Sequence, residues 1–204
     1  MAIWLKDIEI RLLKLLNPLV ILLVSLKIYP KILTMSGLVA SAVSCYFFAK
    51  GSLFWGGIMI IIVGLSDILD GQIARYTGKT SRFGAFLDST IDRYTEGFVY
   101  LGLIIYFWEK SLLVVILIMI AVIGSLLVSY VKVRGEGLGI ECLVGLMQRK
   151  ERLIVLILGS ILGSLKYTGN IFLGLAIGII AVLSHFTVIQ RMMYVRRELN
   201  RIKK

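Results

Sequence analysis

The chain has 204 residues, of which 58% are hydrophobic and 17% charged, and its mean hydropathy is +0.91. This composition excludes an ordinary soluble globular domain and indicates a protein embedded in a membrane. The net charge of +11 could suit nucleic acid, but in membrane proteins Lys and Arg accumulate on the cytoplasmic side. We therefore predict a membrane partner and no nucleic-acid partner.

Residues 1–29 are predicted to form a juxtamembrane segment that precedes the main domain. Between Met1 and Leu16, apolar side chains recur on one helical stripe and charges lie elsewhere, which is typical of an amphipathic helix in the membrane interface. Asn17-Pro18 is expected to interrupt this helix, and Leu19–Leu26 is too short to span a bilayer. Pro30 marks the start of the second domain, residues 30–204, because the residue before a proline avoids helical geometry.

Six apolar segments that follow are candidate membrane-spanning helices. About 20 residues cross a bilayer as a helix, and only the fifth segment, bounded by Arg152 and Lys166, is shorter than a span normally needs. The predicted fold is an all-α integral membrane protein with six transmembrane helices after the interfacial helix. The six segments are Leu33–Ala49, Leu53–Ala74, Gly84–Phe107, Leu112–Val131, Leu153–Leu165 and Asn170–Ile189.

The distribution of cations predicts the orientation. Most of the 23 Lys and Arg residues lie in the N-terminal segment, the second and fourth connections and the C-terminal tail, whereas the opposite side has only Lys50, Lys110 and Lys166. The positive-inside rule then places both termini and these two connections in the cytoplasm. We expect a multi-pass protein of the plasma membrane.

Five of the 12 acidic residues fall within one 30-residue stretch. The first two are spaced i, i+3 at the end of the second span, and the next two are spaced i, i+4 at the start of the third. Each pair lies on one face of its helix. The short polar connection makes the two helices antiparallel neighbours, so the carboxylates should converge at one depth. The residues are Asp67, Asp70, Asp88, Asp92 and Glu96.

Converging carboxylates at a membrane are costly unless they are compensated, because burial and mutual repulsion both disfavour their charge. Divalent cations solve this problem, and all-oxygen ligation suits Mg²⁺, Mn²⁺ or Ca²⁺. Two ions fit four carboxylates better than one. The alternatives are structural salt bridges with Arg75, Arg82 and Arg93, or a pathway for protons or cations.

The aspartate stretch resembles the motif of the CDP-alcohol phosphotransferases, with every fixed position of the motif present. Members of this family displace CMP from a CDP-linked alcohol and attach the remaining phosphoryl alcohol to an acceptor hydroxyl. The six-span layout agrees with the family. The pattern reads Asp67-x2-Asp70-Gly71-x2-Ala74-Arg75-x8-Gly84-x3-Asp88-x3-Asp92.

The resemblance implies roles by position. Asp67, Asp70 and Asp88 would bind Mg²⁺ or Mn²⁺, as two ions. Asp92 would be the general base towards the acceptor hydroxyl and is counted with the metal ligands as well. The residues implied to contact the CDP moiety are Thr34, Asp70, Gly71, Ala74, Arg75 and Gly84.

The fourth connection narrows the resemblance to the phosphatidylinositol-phosphate and archaetidylinositol-phosphate synthases. In that branch a Lys and two Arg bind the acceptor's phosphate, and Lys132, Arg152 and Arg191 match them. Cations at these helix ends are also expected from topology alone. Glycerol 3-phosphate stays open as an acceptor, although its branch usually carries an Arg where this chain has Gly37.

The resemblance also implies the partners. The donor would be CDP-diacylglycerol or CDP-archaeol, the acceptor inositol phosphate, and the protein a homodimer. The sequence leaves open whether the lipid is ester-linked or ether-linked.

Overall fold

The computed structural model describes residues 15–78, 80–165 and 170–202, and their regular secondary structure is entirely helical. Most of the predicted amphipathic helix, residues 1–14, lies outside the described part. The described helices are α1 Leu15–Ser25, α2 Pro30–Ala49, α3 Leu53–Tyr76, α4 Arg82–Phe107, α5 Leu112–Glu136, α6 Arg149–Gly163 and α7 Ile171–Ile202.

The helices begin where the sequence supplies a helix-starting residue. Pro30 opens α2, where its missing N–H costs no hydrogen bond. Ser81 caps α4, because its hydroxyl accepts a hydrogen bond from the backbone N–H of Gly84 at 2.9 Å. Between α2 and α3 the chain reverses through Gly51, whose φ of +78° favours glycine.

One expectation about the N-terminal segment is wrong. Asn17-Pro18 was expected to interrupt the helix, but both residues lie inside α1. Pro18 is the fourth residue of α1, and a proline is tolerated in the first turn of a helix because its missing N–H would have no intrahelical partner there.

The helices form two packed groups that share one core. Helix α2 packs on both α3 and α4, α7 packs on α5 and α6, and the α3–α6 and α4–α5 contacts join the groups. Fully buried apolar side chains from both groups fill the centre, among them Phe48, Ile60, Leu103, Ile118 and Ile177. A smaller cluster packs α1 against the C-terminal end of α3. Consecutive antiparallel helices therefore bring the start of α2, α4 and α6 to the same end as the end of α3.

Among the described helices, four are long and apolar enough to cross a membrane, namely α2, α3, α5 and α7. Of the six predicted spans, the third and fifth correspond to α4 and α6, which are not among these four. Helix α4 carries three acidic residues within its length, and α6 has 15 residues. At a rise of ~1.5 Å per residue, α6 is shorter than the ~30 Å hydrocarbon layer. The coarser prediction of an all-α protein is confirmed, with several helices apolar enough to span a membrane.

We predict that Gly102→Ala lowers the thermal stability of the protein. A Cβ at this position would lie 2.6 Å from the carbonyl oxygen and 2.7 Å from the Cα of Cys45, and this backbone cannot yield without separating α2 from α4. Overpacking of this kind costs about 1–3 kcal/mol. Gly97→Ala on the same helix is the matched control, because a Cβ there meets nothing within 4 Å. Thermal unfolding of both variants in detergent measures the difference; equal melting temperatures would contradict the assigned contact.

Candidate functional site

Three of the predicted aspartates meet where the end of α3 faces the start of α4. Carboxylate oxygens of Asp67, Asp70 and Asp88 all lie within 4.8 Å of one another. The i, i+3 spacing on α3 turns its two carboxylates towards α4. The hydroxyl of Thr34 on α2 donates a 2.7 Å hydrogen bond to Oδ2 of Asp70, and Asp70 is only 6% exposed.

This cluster has the chemistry that a divalent cation requires. Its donors are all carboxylate oxygens, which suit Mg²⁺ or Mn²⁺. The Oδ1 atom of Asp88 is buried and has no hydrogen-bond partner among the described residues. A buried acceptor left without a partner is costly, and a metal ion would satisfy it. The three aspartates could therefore hold a metal ion.

Asp92, one turn beyond Asp88, lies outside this group of three and is paired with an arginine. Its Oδ1 atom is 2.8 Å from Nη2 of Arg149, and Nη1 of the same guanidinium is 2.9 Å from Oδ1 of Asp67. The Arg149 side chain is 14% exposed and also donates a 3.2 Å hydrogen bond to the hydroxyl of Thr95. A single buried cation thus bridges α3 and α4 from the start of α6.

Glu96 lies one turn beyond Asp92 on α4 and pairs with a second arginine of α6, Arg152. Its Oε1 atom accepts a 2.6 Å hydrogen bond from Nη2 of Arg152, which is 1% exposed. Nη1 of Arg152 donates to the carbonyl of Met147 at 3.1 Å, and Nε of Arg149 is 3.9 Å from the same Glu96 oxygen. Arg152 is therefore held inside the protein by its own partners.

The other two cations predicted for the acceptor's phosphate have different environments. Arg191 is 3% exposed and donates from Nε to the carbonyl of Val144 at 2.8 Å and from Nη1 to that of Val128. The Lys132 side chain is 43% exposed, with Nζ 3.7 Å from Glu136. Of these three cations, Lys132 is the one whose side chain is open to solvent.

A cavity of ≈ 390 Å³ adjoins the aspartates, and Asp70 and Asp88 line it. A Cβ at Gly71 would approach the guanidinium of Arg75 to 3.5 Å, so the glycine leaves this part of the wall open. A Cβ at Gly84 would come within 3.0 Å of the capping hydroxyl of Ser81. All six residues that the resemblance implies for CDP contact line this cavity: Thr34, Asp70, Gly71, Ala74, Arg75 and Gly84.

Sequence reasoning did not select several residues of the site. Tyr29, Lys31 and Ser81 line the cavity, and Lys31 also lies over the ring of Phe83, 5.3 Å from its centroid. Arg149 is the most consequential omission. Its spacing of i, i+3 from Arg152 places both arginines on one face of α6, and this spacing was the available signal.

Comparison with known proteins agrees with this geometry. The family model for CDP-alcohol phosphatidyltransferases matches residues 27–189. The chain belongs to this family. The resemblance inferred from the aspartate pattern is therefore confirmed, and with it a transferase that acts on CDP-alcohols.

Characterised members of the CDP-alcohol phosphatidyltransferase family resemble the chain over most of its length. The archaetidylinositol phosphate synthase of Methanothermobacter thermautotrophicus is 38% identical over 167 residues, which cover 82% of this chain and 83% of the relative. The phosphatidylinositol phosphate synthase of Mycobacterium tuberculosis has been solved with CDP-DAG bound, and that structure shares 31% identity and a TM-score of 0.79, covering 89% of this chain and 94% of the neighbour. A structure of the same neighbour with manganese and citrate shares 32% identity and a TM-score of 0.80, covering 87% of each chain.

We predict that Thr34→Val weakens binding of Mn²⁺ to this member of the family. The variant keeps the shape of the side chain but removes the hydroxyl that orients Asp70, and one such hydrogen bond to a charged group contributes about 1.5–3 kcal/mol. Thr90→Val is the control, because the Thr90 hydroxyl donates only to the carbonyl of Phe86 in its own helix. Titration of each variant with Mn²⁺ by calorimetry measures the effect. Equal affinities in the two variants would contradict a role of Thr34 in shaping the site.

Proposed function

We propose that this protein transfers a phosphatidyl-type group from a CDP-lipid to a hydroxyl of inositol phosphate and releases CMP. The proposal rests on Asp70 and Asp88, because these two residues line the cavity and also belong to the carboxylate cluster. A nucleotide in the cavity would thus place its pyrophosphate beside the acidic group. The names of the relatives support inositol phosphate as the acceptor.

The cavity wall suits the nucleotide end of the donor. The guanidinium of Arg75 offers a planar pair of donors for a phosphate. The small residues Gly71, Ala74 and Gly84 leave space along the cavity wall, and the hydroxyl of Thr34 orients Asp70 through a hydrogen bond. The donor is CDP-diacylglycerol or CDP-archaeol; the neighbour solved with CDP-DAG supports the first.

Asp67, Asp70 and Asp88 are the proposed ligands of Mg²⁺ or Mn²⁺, with Asp92 beside them and two ions in the complete site. A bound divalent ion would neutralise the pyrophosphate and stabilise the departing CMP. The manganese complex of the mycobacterial neighbour supports this assignment.

Asp92 is proposed to act on the acceptor. It takes the proton of the acceptor hydroxyl while that oxygen attacks the lipid-bearing phosphorus, and the bond from this phosphorus to the CMP oxygen breaks. A carboxylate is a weak base, but proton transfer can be concerted with attack.

Lys132, Arg152 and Arg191 are the proposed ligands of the acceptor's phosphate. Arg191 and Arg152 both donate to carbonyls of the connection between α5 and α6, and Lys132 lies four residues before the end of α5. Arg149 adds a fourth positive charge on the side of the aspartates. A cluster of this kind suits a dianionic acceptor.

We propose six membrane spans, with α4 and α6 joining the four apolar helices, and a juxtamembrane segment of residues 1–29 before the domain of residues 30–204. The start of the family match at residue 27 supports this division. The asymmetry of Lys and Arg supports cytoplasmic termini and a cytoplasmic active site in the plasma membrane. By family analogy the protein is a homodimer.

We predict that Asp92→Asn abolishes turnover while leaving CDP-lipid binding largely intact. Removing a general base typically costs about 10²–10⁴-fold in rate. CMP release in the presence of Mg²⁺ or Mn²⁺ measures turnover, and a binding titration with CDP-diacylglycerol measures affinity. Asp67→Asn is the comparison variant, since loss of a metal ligand should impair both quantities. Equal loss of lipid binding in the two variants would contradict the assignment of Asp92 as base.

The same assay tests the proposed function itself. Inositol phosphate should support faster CMP release than glycerol 3-phosphate at equal concentration. Preference for glycerol 3-phosphate would replace the acceptor but keep the chemistry. Absence of CMP release with every CDP-lipid and acceptor pair would overturn the transferase assignment, and metal-dependent cation flux in liposomes would then favour a transporter.

We predict that Lys132→Ala raises the KM for inositol phosphate several-fold, by roughly 1 kcal/mol of lost charge-assisted bonding, and leaves the KM for the CDP-lipid nearly unchanged. Lys132 is the suitable variant because its half-exposed side chain can be removed without emptying the core. Arg134→Ala on the same helix removes a cation that is more exposed than Lys132 and should change neither constant. An acceptor KM that matches that of the Arg134 control would exclude Lys132 from the acceptor pocket.

A further inference from the structure

Arg149 occupies a position that conflicts with a loaded metal site. Its guanidinium bonds at once to Asp67, a member of the three-carboxylate cluster, and to Asp92, the proposed base. Both contacts are shorter than 3 Å, and the side chain is largely withdrawn from solvent. The arginine therefore neutralises part of the charge that a divalent cation would otherwise neutralise.

A divalent ion on Asp67 would repel the guanidinium of Arg149. The two would be like charges a few ångströms apart at a poorly solvated helix end, where Coulomb repulsion is far stronger than in water. The contact with Arg149 also hinders Asp92 as a base. A lone pair of its Oδ1 atom is occupied by the guanidinium, so this oxygen is less available to accept the proton of a hydroxyl.

Glu96 offers the guanidinium a second position. Its Oε1 atom is already 3.9 Å from Nε of Arg149, and its Oε2 atom is buried with no hydrogen-bond partner in the described ranges. The Nε of Arg149 is likewise buried and without a hydrogen bond among these residues. Within the described part of the chain, each side chain thus has one atom without a hydrogen bond, one turn of α4 beyond Asp92, although Glu96 is otherwise paired with Arg152 and Arg149 with the two aspartates. A small rotation of the arginine would pair them.

We propose that Arg149 is a positioning residue that serves as the resident counter-cation of the aspartates, and that a divalent ion displaces it from Asp67 and Asp92 towards Glu96. Metal binding then frees the Asp92 carboxylate for the acceptor. This inference rests on the proposed function in that it takes Asp67 as a metal ligand and Asp92 as the base.

The test is the affinity of the full chain in detergent for Mn²⁺ alone, measured by the electron paramagnetic resonance signal of free Mn²⁺ without nucleotide or acceptor. Arg149→Met should bind Mn²⁺ on the order of 10-fold more tightly, because no internal cation competes for Asp67. Arg149→Lys should tighten binding less, since one ammonium cannot bridge two carboxylates. Arg134→Met removes an exposed cation from α5 and should leave the affinity unchanged.

Unchanged or weaker Mn²⁺ binding in folded Arg149→Met would overturn the proposal, because loss of a cation that competes with the metal for Asp67 must raise the Mn²⁺ affinity. If the Met variant does not fold, the Lys variant decides in the same way. Equal tightening in Arg134→Met would also overturn it, since the effect would then be one of net charge. CMP release by the unmodified protein is measured in parallel, so failure of the proposed function is distinguished from failure of the displacement.

Discussion

Mutual repulsion among buried carboxylates is the constraint on which the rest of the structure depends. Two unit charges 4 Å apart repel by about 4 kcal/mol at an effective dielectric constant of 20. Three aspartate side chains with oxygens within 4.8 Å of one another need compensating cations, and α6 supplies two arginines to this end of the bundle. Arg149 bonds to α3 and α4, and Arg152 bonds to Glu96 on α4. These ion pairs therefore hold the N-terminal, polar end of α6 in place. At its apolar end, α6 packs closely on α7 at Gly159.

The same constraint places the cavity. Ser81 caps α4 seven residues before Asp88, the first aspartate of that helix, and the hydroxyl of Thr34 ties the start of α2 to Asp70. Three helix termini thus meet around one acidic wall, with glycines on the side that faces the cavity. A nucleotide bound there would lie against the carboxylates. The proposed nucleotide cavity and the proposed metal site share Asp70 and Asp88, as expected of a site that cleaves a pyrophosphate.

The convergence of the aspartates could be predicted from sequence because local geometry dictates it. Spacings of i, i+3 and i, i+4 on two helices joined by a short connection favour this convergence, whereas the six residues expected to contact CDP were implied by the family resemblance. Helix periodicity could not predict which arginine pairs with these acidic residues. Arg149 and Arg152 share one helix face, so periodicity does not separate them; the depth to which α6 enters the bundle decides which one reaches Asp67 and which one reaches Glu96. That depth is a property of tertiary packing.

The low hydropathy of α4 and α6 and the position of the site have the same cause, namely the charged residues of these two helices. Acids interrupt the apolar pattern of α4 and cations shorten that of α6, so composition disfavours as membrane spans the two helices that meet at the site. Their polar groups face the protein: Glu96 and Arg152 are almost fully buried and bonded to each other, whereas Leu101, Ile105 and Ile154 on the same helices are about half exposed. Lipid would meet the apolar face alone, and charge pairing within the bundle removes the cost of the polar one. Hydropathy averaged over a helix cannot separate these two faces, so it does not register the apolar face of α4 and α6.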